Sequence, residues 1–142
     1  MDRGEVLASI KRAVQNRSTE LDLHSQAIDH LPPEIGWLSD LLYLDLGDNS
    51  FSNVPADIGN LERLETLLLG FNHELKVMPL EIFNLPHLTE LSLPGFETAV
   101  PRQIGDLSNL EVLSIGSGSL KALPAEVGNC INLTELYVNL TR

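Results

Sequence analysis

The chain has 142 residues, enough for one domain with a hydrophobic core, and its 43% hydrophobic and 20% charged residues are typical of a soluble globular protein. No apolar stretch approaches the roughly 20 residues of a membrane-spanning helix, and the N-terminus lacks the apolar run of a signal peptide. We therefore expect a cytoplasmic protein with no membrane contact. The formal net charge of −11 argues against nucleic acid and favours a basic partner.

The first predicted element is a helical cap within residues 1–17. Asp2 and Glu5 are spaced as a capping pair. The apolar stripe of this helix consists of Val6, Leu7, Ile10 and Val14. A basic amphipathic membrane helix is the alternative, but the stripe is short and the remainder of the chain is acidic. The sequence therefore favours a cap that covers the start of a longer array.

Residues 18–142 form the second predicted region, which repeats itself. Five full units begin at Ser18, Leu41, Leu64, Leu88 and Leu110, and a partial sixth unit follows from Leu133. The first, second and fifth units are equal in length, whereas the third is longer and the fourth shorter by a single residue. Two motifs recur along the units. The first is LLYLDL, LETLLL, LTELSL, LEVLSI or LTELYV, and the second is a segment such as LPPEIGWL. Such regularity indicates a solenoid rather than a single folded globule.

The mixed leucine spacing has a physical explanation. In the L-x-L core, Leu44 and Leu46 point inward while Asp45 points outward, as in a strand. Apolar spacings of four and three in LPxEIGxL suit one helical or 3₁₀ turn behind the sheet. A proline begins each such turn because its position needs no amide donor. Successive strands are therefore expected to stack in parallel, about 4.8 Å apart.

These motifs resemble the leucine-rich repeat family, whose pattern LxxLxLxxNxLxxLPxxIGxL covers residues 18–140. The LPxEIGxL variant is similar to intracellular and bacterial repeats, including those of Ras-binding proteins, and the N-terminal segment resembles repeat domains of Roco-type proteins. The resemblance implies an α/β fold: a right-handed, curved leucine-rich repeat solenoid with a parallel β-sheet on its concave face. Short helical or 3₁₀ turns would form the convex face.

The family's asparagine bonds loop backbone in each unit, and this sequence retains it at Asn49 and Asn72. The other units carry Gln26, Phe96 and Gly118 at this position. We therefore expect less regular loops around residues 95–99 and 116–119.

The function is expected on the concave face, where side chains beside the inward leucines are exposed. Along the units this face begins acidic, becomes apolar and ends small and polar, which is typical of a protein-binding surface with aromatic anchors and steering charges. Tyr43, Leu68 and Phe71 are the expected anchors. A solvated face without a strong ligand is the alternative. The candidate partner-binding residues are Glu20, Asp22, His24, Tyr43, Asp45, Asp48, Thr66, Leu68, Phe71, Glu90, Ser92, Ser114 and Tyr137.

The sequence predicts no catalytic site, no metal and no cofactor. It contains no GxSxG motif, and the segment SIGSGSL lacks the lysine of a phosphate-binding loop. Asp22, Asp45 and Asp48 could hold a cation or a basic side chain, but solvation is the favoured interpretation. The prediction is a non-catalytic module that binds a protein or peptide. The alternative is the recognition segment of a larger signalling enzyme or bacterial effector.

Three smaller features complete the expectations. Cys130, the single cysteine, is expected to be a buried thiol, and Trp37 is expected to pack against the cap or the next turn. The sixth unit stops after Leu133, Leu136 and Val138, which leaves a strand edge without a visible cap. The sequence favours a truncated or short chain and a monomer, with a dimer through this C-terminal edge as the alternative.

Overall fold

The computed structural model describes residues 1–95, 99–118 and 120–140, and it consists of one helix followed by a six-stranded sheet. Helix α1 spans Arg3–Gln15. The strands are β1 (Glu20–Asp22), β2 (Tyr43–Asp45), β3 (Thr66–Leu68), β4 (Glu90–Leu93), β5 (Val112–Gly118) and β6 (Glu135–Leu140). They stand in chain order, and all neighbouring pairs are parallel. The predicted solenoid is confirmed.

Each return between neighbouring strands passes through a five-residue 3₁₀ turn. These turns are Pro33–Trp37, Ala56–Asn60, Leu80–Asn84, Arg102–Asp106 and Ala125–Asn129. A proline occupies the residue before each turn, and its carbonyl accepts the first turn bond; for example, the Ile58 amide donates to the Pro55 oxygen at 3.1 Å. The predicted proline role is therefore confirmed.

The strand register reproduces the unit lengths read from the sequence. Glu20 pairs with Tyr43, and Tyr43 pairs with Thr66, so the first two steps along the chain are equal. Thr66 pairs with Glu90, a step longer by a single residue, and Glu90 pairs with Val112, a correspondingly shorter step. The added residue of unit three and the missing one of unit four therefore lie outside the paired strand segments, in the returns.

The core is a ladder of leucines from the strands and isoleucines from the turns. Leu44, Leu67, Leu91 and Leu113 are completely buried between neighbouring coils. Burial decreases at the last coil, where Leu136 is exposed, because β6 has a sheet neighbour on one side only. Each coil thus depends on the adjacent ones for its hydrophobic contacts.

Helix α1 begins with the predicted capping pair. The Asp2 carboxylate accepts a hydrogen bond from the Glu5 amide at 2.9 Å, and the Glu5 carboxylate accepts one from the Asp2 amide at 2.7 Å. The face packed on the first coil consists of Val6, Ile10 and Ala13, whose spacing of four and three places them on one side of the helix. Leu7 and Val14, expected within the stripe, flank this face and are half-buried.

Asn49 and Asn72 tie successive coils together as expected. The Asn49 side chain donates to the Leu23 and Leu46 carbonyls at 2.9 and 3.0 Å and accepts from the Ile28 amide at 3.0 Å. Asn72 also donates to the Leu46 carbonyl, at 2.9 Å. The two asparagines therefore share one acceptor across the stack. The irregular loops expected around 95–99 and 116–119 fall partly on residues 96–98 and 119, outside the described residues.

Candidate concave binding face

The sheet presents two outward columns of side chains on what we call the concave face, the side opposite the leucine core. The column at the first strand position holds Glu20, Tyr43, Thr66, Glu90, Val112 and Glu135. The column at the third position holds Asp22, Asp45, Leu68, Ser92, Ser114 and Tyr137. His24, Asp48 and Phe71 follow the strand ends. The candidate residues therefore share one face, which is acidic at β1 and β2, apolar at Leu68, and lined by small polar Ser92 and Ser114 before Glu135 and Tyr137 on β6.

At the acidic end, three groups lie within 3.5 Å of the Asp45 carboxylate. The Gly47 amide donates to it at 2.8 Å and the Tyr43 hydroxyl donates at 3.4 Å. His24 Nδ1 lies 3.5 Å from the same carboxylate. Burial raises the pKa of Tyr43, and the negative charge of Asp45 raises that pKa further. Asp22 stands beside Asp45 in the register, so two carboxylates occupy adjacent strands, as predicted.

A hollow of about 130 Å³ opens next to this acidic end. Leu68 and Phe71 form its apolar wall, and His24, Asp45 and Ser92 also line it. Tyr43 is not among the residues that line this hollow.

Two glycines, Gly47 and Gly70, also line the hollow, and neither is among the candidate partner-binding residues named from the sequence. A Cβ atom on Gly70 would lie 2.9 Å from the Ser92 Oγ atom, and one on Gly47 would lie 3.0 Å from His24 Nδ1. Both distances are shorter than an ordinary van der Waals contact, so a larger residue at either position would displace Ser92 or His24. The recurrence of the glycines two residues after Asp45 and Leu68 was the available sequence signal.

Phe71 has an unusual combination of conformation and exposure. Its φ of 59° lies in the left-handed region, as do those of Ser25 (53°) and Asp48 (51°) at the equivalent positions of the two preceding units. Small polar residues tolerate this conformation, whereas a bulky aromatic residue is strained in it. Phe71 is nevertheless 66% exposed, so burial within the chain compensates this strain only partly.

The remaining candidates lie farther along the face. A smaller hollow of about 70 Å³ continues from Phe71 past Ser92 to Ser114. Tyr137 stands three strands away from Phe71, where its hydroxyl donates to the Glu135 carboxylate at 2.6 Å. This hydrogen bond is the main cause of its raised pKa. Tyr137 therefore does not contribute to the hollow beside Phe71.

The described part of the chain contains no cluster of three or more His, Cys, Asp or Glu residues that could hold a metal ion. The Asp48 carboxylate accepts a hydrogen bond from the Ser25 hydroxyl, which turns it toward the neighbouring coil.

No helix among the described residues is long and apolar enough to cross a membrane. Cys130 is buried, and its thiol donates to the Ile104 carbonyl at 3.2 Å, as expected for a structural thiol.

Comparison with known proteins identifies similar chains. A family model described as leucine rich repeat matches residues 18–73. Receptor-like protein 41 of Arabidopsis thaliana is 32% identical over 139 residues, which is 93% of this chain and 16% of that protein. The chain therefore spans only a small part of this relative.

Solved structures show the same architecture. A leucine-rich repeat protein of Leptospira interrogans superposes with a TM-score of 0.80 at 37% identity, covering 92% of this chain and 34% of that one. The plant peptide hormone receptor RGFR1 in complex with RGF2 superposes with a TM-score of 0.69 at 30% identity, covering 90% and 22%. With the parallel sheet and its 3₁₀ returns, these matches show that the chain belongs to the leucine-rich repeat family.

Proposed function

We propose that this chain is a non-catalytic module that binds a protein or peptide on its concave face. The leucine-rich repeat fold commonly serves protein–protein interaction, including receptor–ligand complexes. The observation that carries the proposal for this face is Phe71, an exposed aromatic residue in a strained conformation above a glycine-lined hollow. A side chain with this energetic cost and little burial is best explained by a contact outside the chain.

The hollow suits one apolar side chain of the partner. Phe71 and Leu68 supply the apolar wall, and Gly70 lines the hollow without adding a side chain to it. Aromatic residues that become buried on association often supply a large share of the binding energy. Phe71 is therefore the proposed anchor, with Leu68 beneath it.

The surrounding charges favour a basic partner. Asp22 and Asp45 lie on adjacent strands beside the hollow, and Glu20 stands in the neighbouring column. Such carboxylates attract lysine or arginine side chains and accelerate encounter, an effect that weakens as salt screens the charges. We propose that the partner places an apolar side chain on Phe71 and a cationic one near Asp45.

Affinity capture from the source cell tests this proposal. The wild-type protein should retain a partner that both Phe71→Asn and Asp45→Asn lose, and the captured amount should decrease in high salt. Val77→Asn is the matched control because Val77 is also an exposed apolar residue, 74% accessible, outside the hollow. Equal recovery of every partner by Phe71→Asn and wild type would overturn the site assignment.

We also propose a cytoplasmic, monomeric protein. The single cysteine is buried as a thiol, which suits a reducing compartment. Light scattering should give the monomer mass at high concentration. A dimer that Val138→Lys converts to monomer would instead assign the C-terminal strand edge as an interface, and location outside the cytoplasm on fractionation would refute the compartment.

A second candidate function is a recognition segment within a larger signalling enzyme or bacterial effector. The observation that favours it is that the chain matches 16% of the length of the receptor-like relative and 34% of the Leptospira chain. Sequencing the surrounding reading frame distinguishes the two. A continuous frame that encodes a catalytic domain would support the segment, and flanking stop codons would exclude it.

A further inference from the structure

Trp37 departs from the repeat pattern in a way the fold does not require. It is the last residue of the first 3₁₀ turn, and the same position in the other four turns is polar: Asn60, Asn84, Asp106 and Asn129. The position thus accepts asparagine or aspartate without loss of the turn. Trp37 is 56% exposed, although the sequence suggested that it would pack against the cap or the next turn.

A groove of about 250 Å³ lies beside Trp37, between the end of helix α1 and the end of the first turn. Val14 and Trp37 are its accessible apolar lining, Ala13 and Leu38 are buried beneath the surface, and the other lining residues are polar. This volume is below the roughly 300–1,000 Å³ of typical small-molecule sites, so the groove suits a single large side chain. A half-exposed tryptophan next to such a groove has the composition of a protein-interface hot spot.

Arg17 and Asp40 line one edge of the groove, and Arg63 contacts the same carboxylate from outside the lining. Arg17 bonds Asp40 at 2.9 Å and Arg63 bonds the same carboxylate at 3.1 Å, so two guanidinium groups share one partially buried anion. Both arginines keep most of their side chains exposed, 81% for Arg17 and 57% for Arg63. One positive charge therefore remains uncompensated within this group, in a chain whose net charge is −11.

We propose that this groove, which we call the Trp37 groove, binds a segment of a partner protein that carries one large apolar side chain flanked by aspartate or glutamate. The apolar side chain occupies the space against Trp37 and Val14. The flanking carboxylates meet the exposed guanidinium groups of Arg17 and Arg63. The site is separate from the concave face, which is acidic and favours a basic partner.

Selection from a random dodecapeptide library on phage tests the proposal. The library is selected on the wild-type protein and, in parallel, on Trp37→Asn. We expect sequences enriched only on wild type to share a leucine, phenylalanine or methionine flanked by acidic residues. If both proteins enrich the same sequences, or if the Trp37-dependent sequences are flanked by lysine or arginine, the proposal is wrong.

A synthetic peptide with the enriched sequence then permits titration. Trp37 is the only tryptophan, so its emission should shift to the blue as the peptide covers it. Trp37→Asn and the double variant Arg17→Gln/Arg63→Gln should each weaken binding by about tenfold or more. Phe71→Asn should bind normally, which separates this groove from the concave face. Equal affinity in the arginine double variant, with its circular dichroism spectrum unchanged, would refute the proposed contacts.

Discussion

Replacing Phe71 with asparagine should separate stability from binding. A bulky residue in the left-handed region costs about 1–2 kcal/mol, and asparagine tolerates that region. Phe71 buries only about a third of its surface, and full burial of phenylalanine is worth about 1.5–3 kcal/mol, so the lost burial is about 0.5–1 kcal/mol. The variant should therefore be as stable as wild type or up to about 1.5 kcal/mol more stable, while partner binding decreases.

Urea unfolding followed by circular dichroism measures the first effect. Phe83→Ala is the matched control, because Phe83 is fully packed in the core and its truncation should cost about 3–5 kcal/mol. A loss of about 2 kcal/mol or more in Phe71→Asn would show that Phe71 holds the fold together. That result would refute the argument that its strain serves an external contact.

Four further predictions concern particular residues. Asn72→Ala should lose about 2–4 kcal/mol in urea unfolding, because it removes the buried amide that donates to the Leu46 and Leu69 carbonyls at 2.9 Å. The exposed Asn109→Ala should lose less than about 1 kcal/mol. Arg17 and Arg63 lower the pKa of Asp40, and the hydrogen bond from Arg17 contributes most. The free energy of unfolding that wild type gains over Asp40→Asn should therefore be constant above about pH 5 and disappear as the pH decreases below about 4. A difference between the two proteins that stays constant down to about pH 2 would contradict this. Burial raises the pKa of Cys130, so a thiol reagent should modify it only during unfolding, and reaction as fast as that of a free thiol would contradict its burial. Gly70→Val should fill the hollow and abolish partner capture while the protein stays folded, and retained capture would remove the hollow from the site.

The repeat architecture was predictable because each coil repeats the same local physics. Leucine alternation fixes the strand, proline fixes the start of the turn, and the distance between equivalent leucines fixes the register. The longer step between Thr66 and Glu90 follows directly from the longer third unit. The bonds of Asn49 and Asn72 were also predictable, because the resemblance to the leucine-rich repeat family implies an asparagine that bonds loop backbone at that position.

The details of the candidate surfaces depend on exceptions to the repeat, and these are harder to read. The sequence places Phe71 on the concave face but contains no direct sign of its left-handed backbone, which follows from the conformation shared with Ser25 and Asp48. Gly47 and Gly70 line the same hollow, although a full repeat separates them in the chain. Trp37 is apolar and suggested packing, whereas its exposure depends on how helix α1 meets the first coil.

Site-specific photocrosslinking tests the proposed concave-face function most directly. Benzoyl-phenylalanine is introduced in place of Phe71 or, as the control, in place of the exposed Val77, and the source cells are irradiated. We predict one dominant covalent partner from position 71, absent from position 77 and reduced when Asp45 is changed to asparagine. A partner that crosslinks from position 77 and not from position 71 would contradict recognition through the concave face.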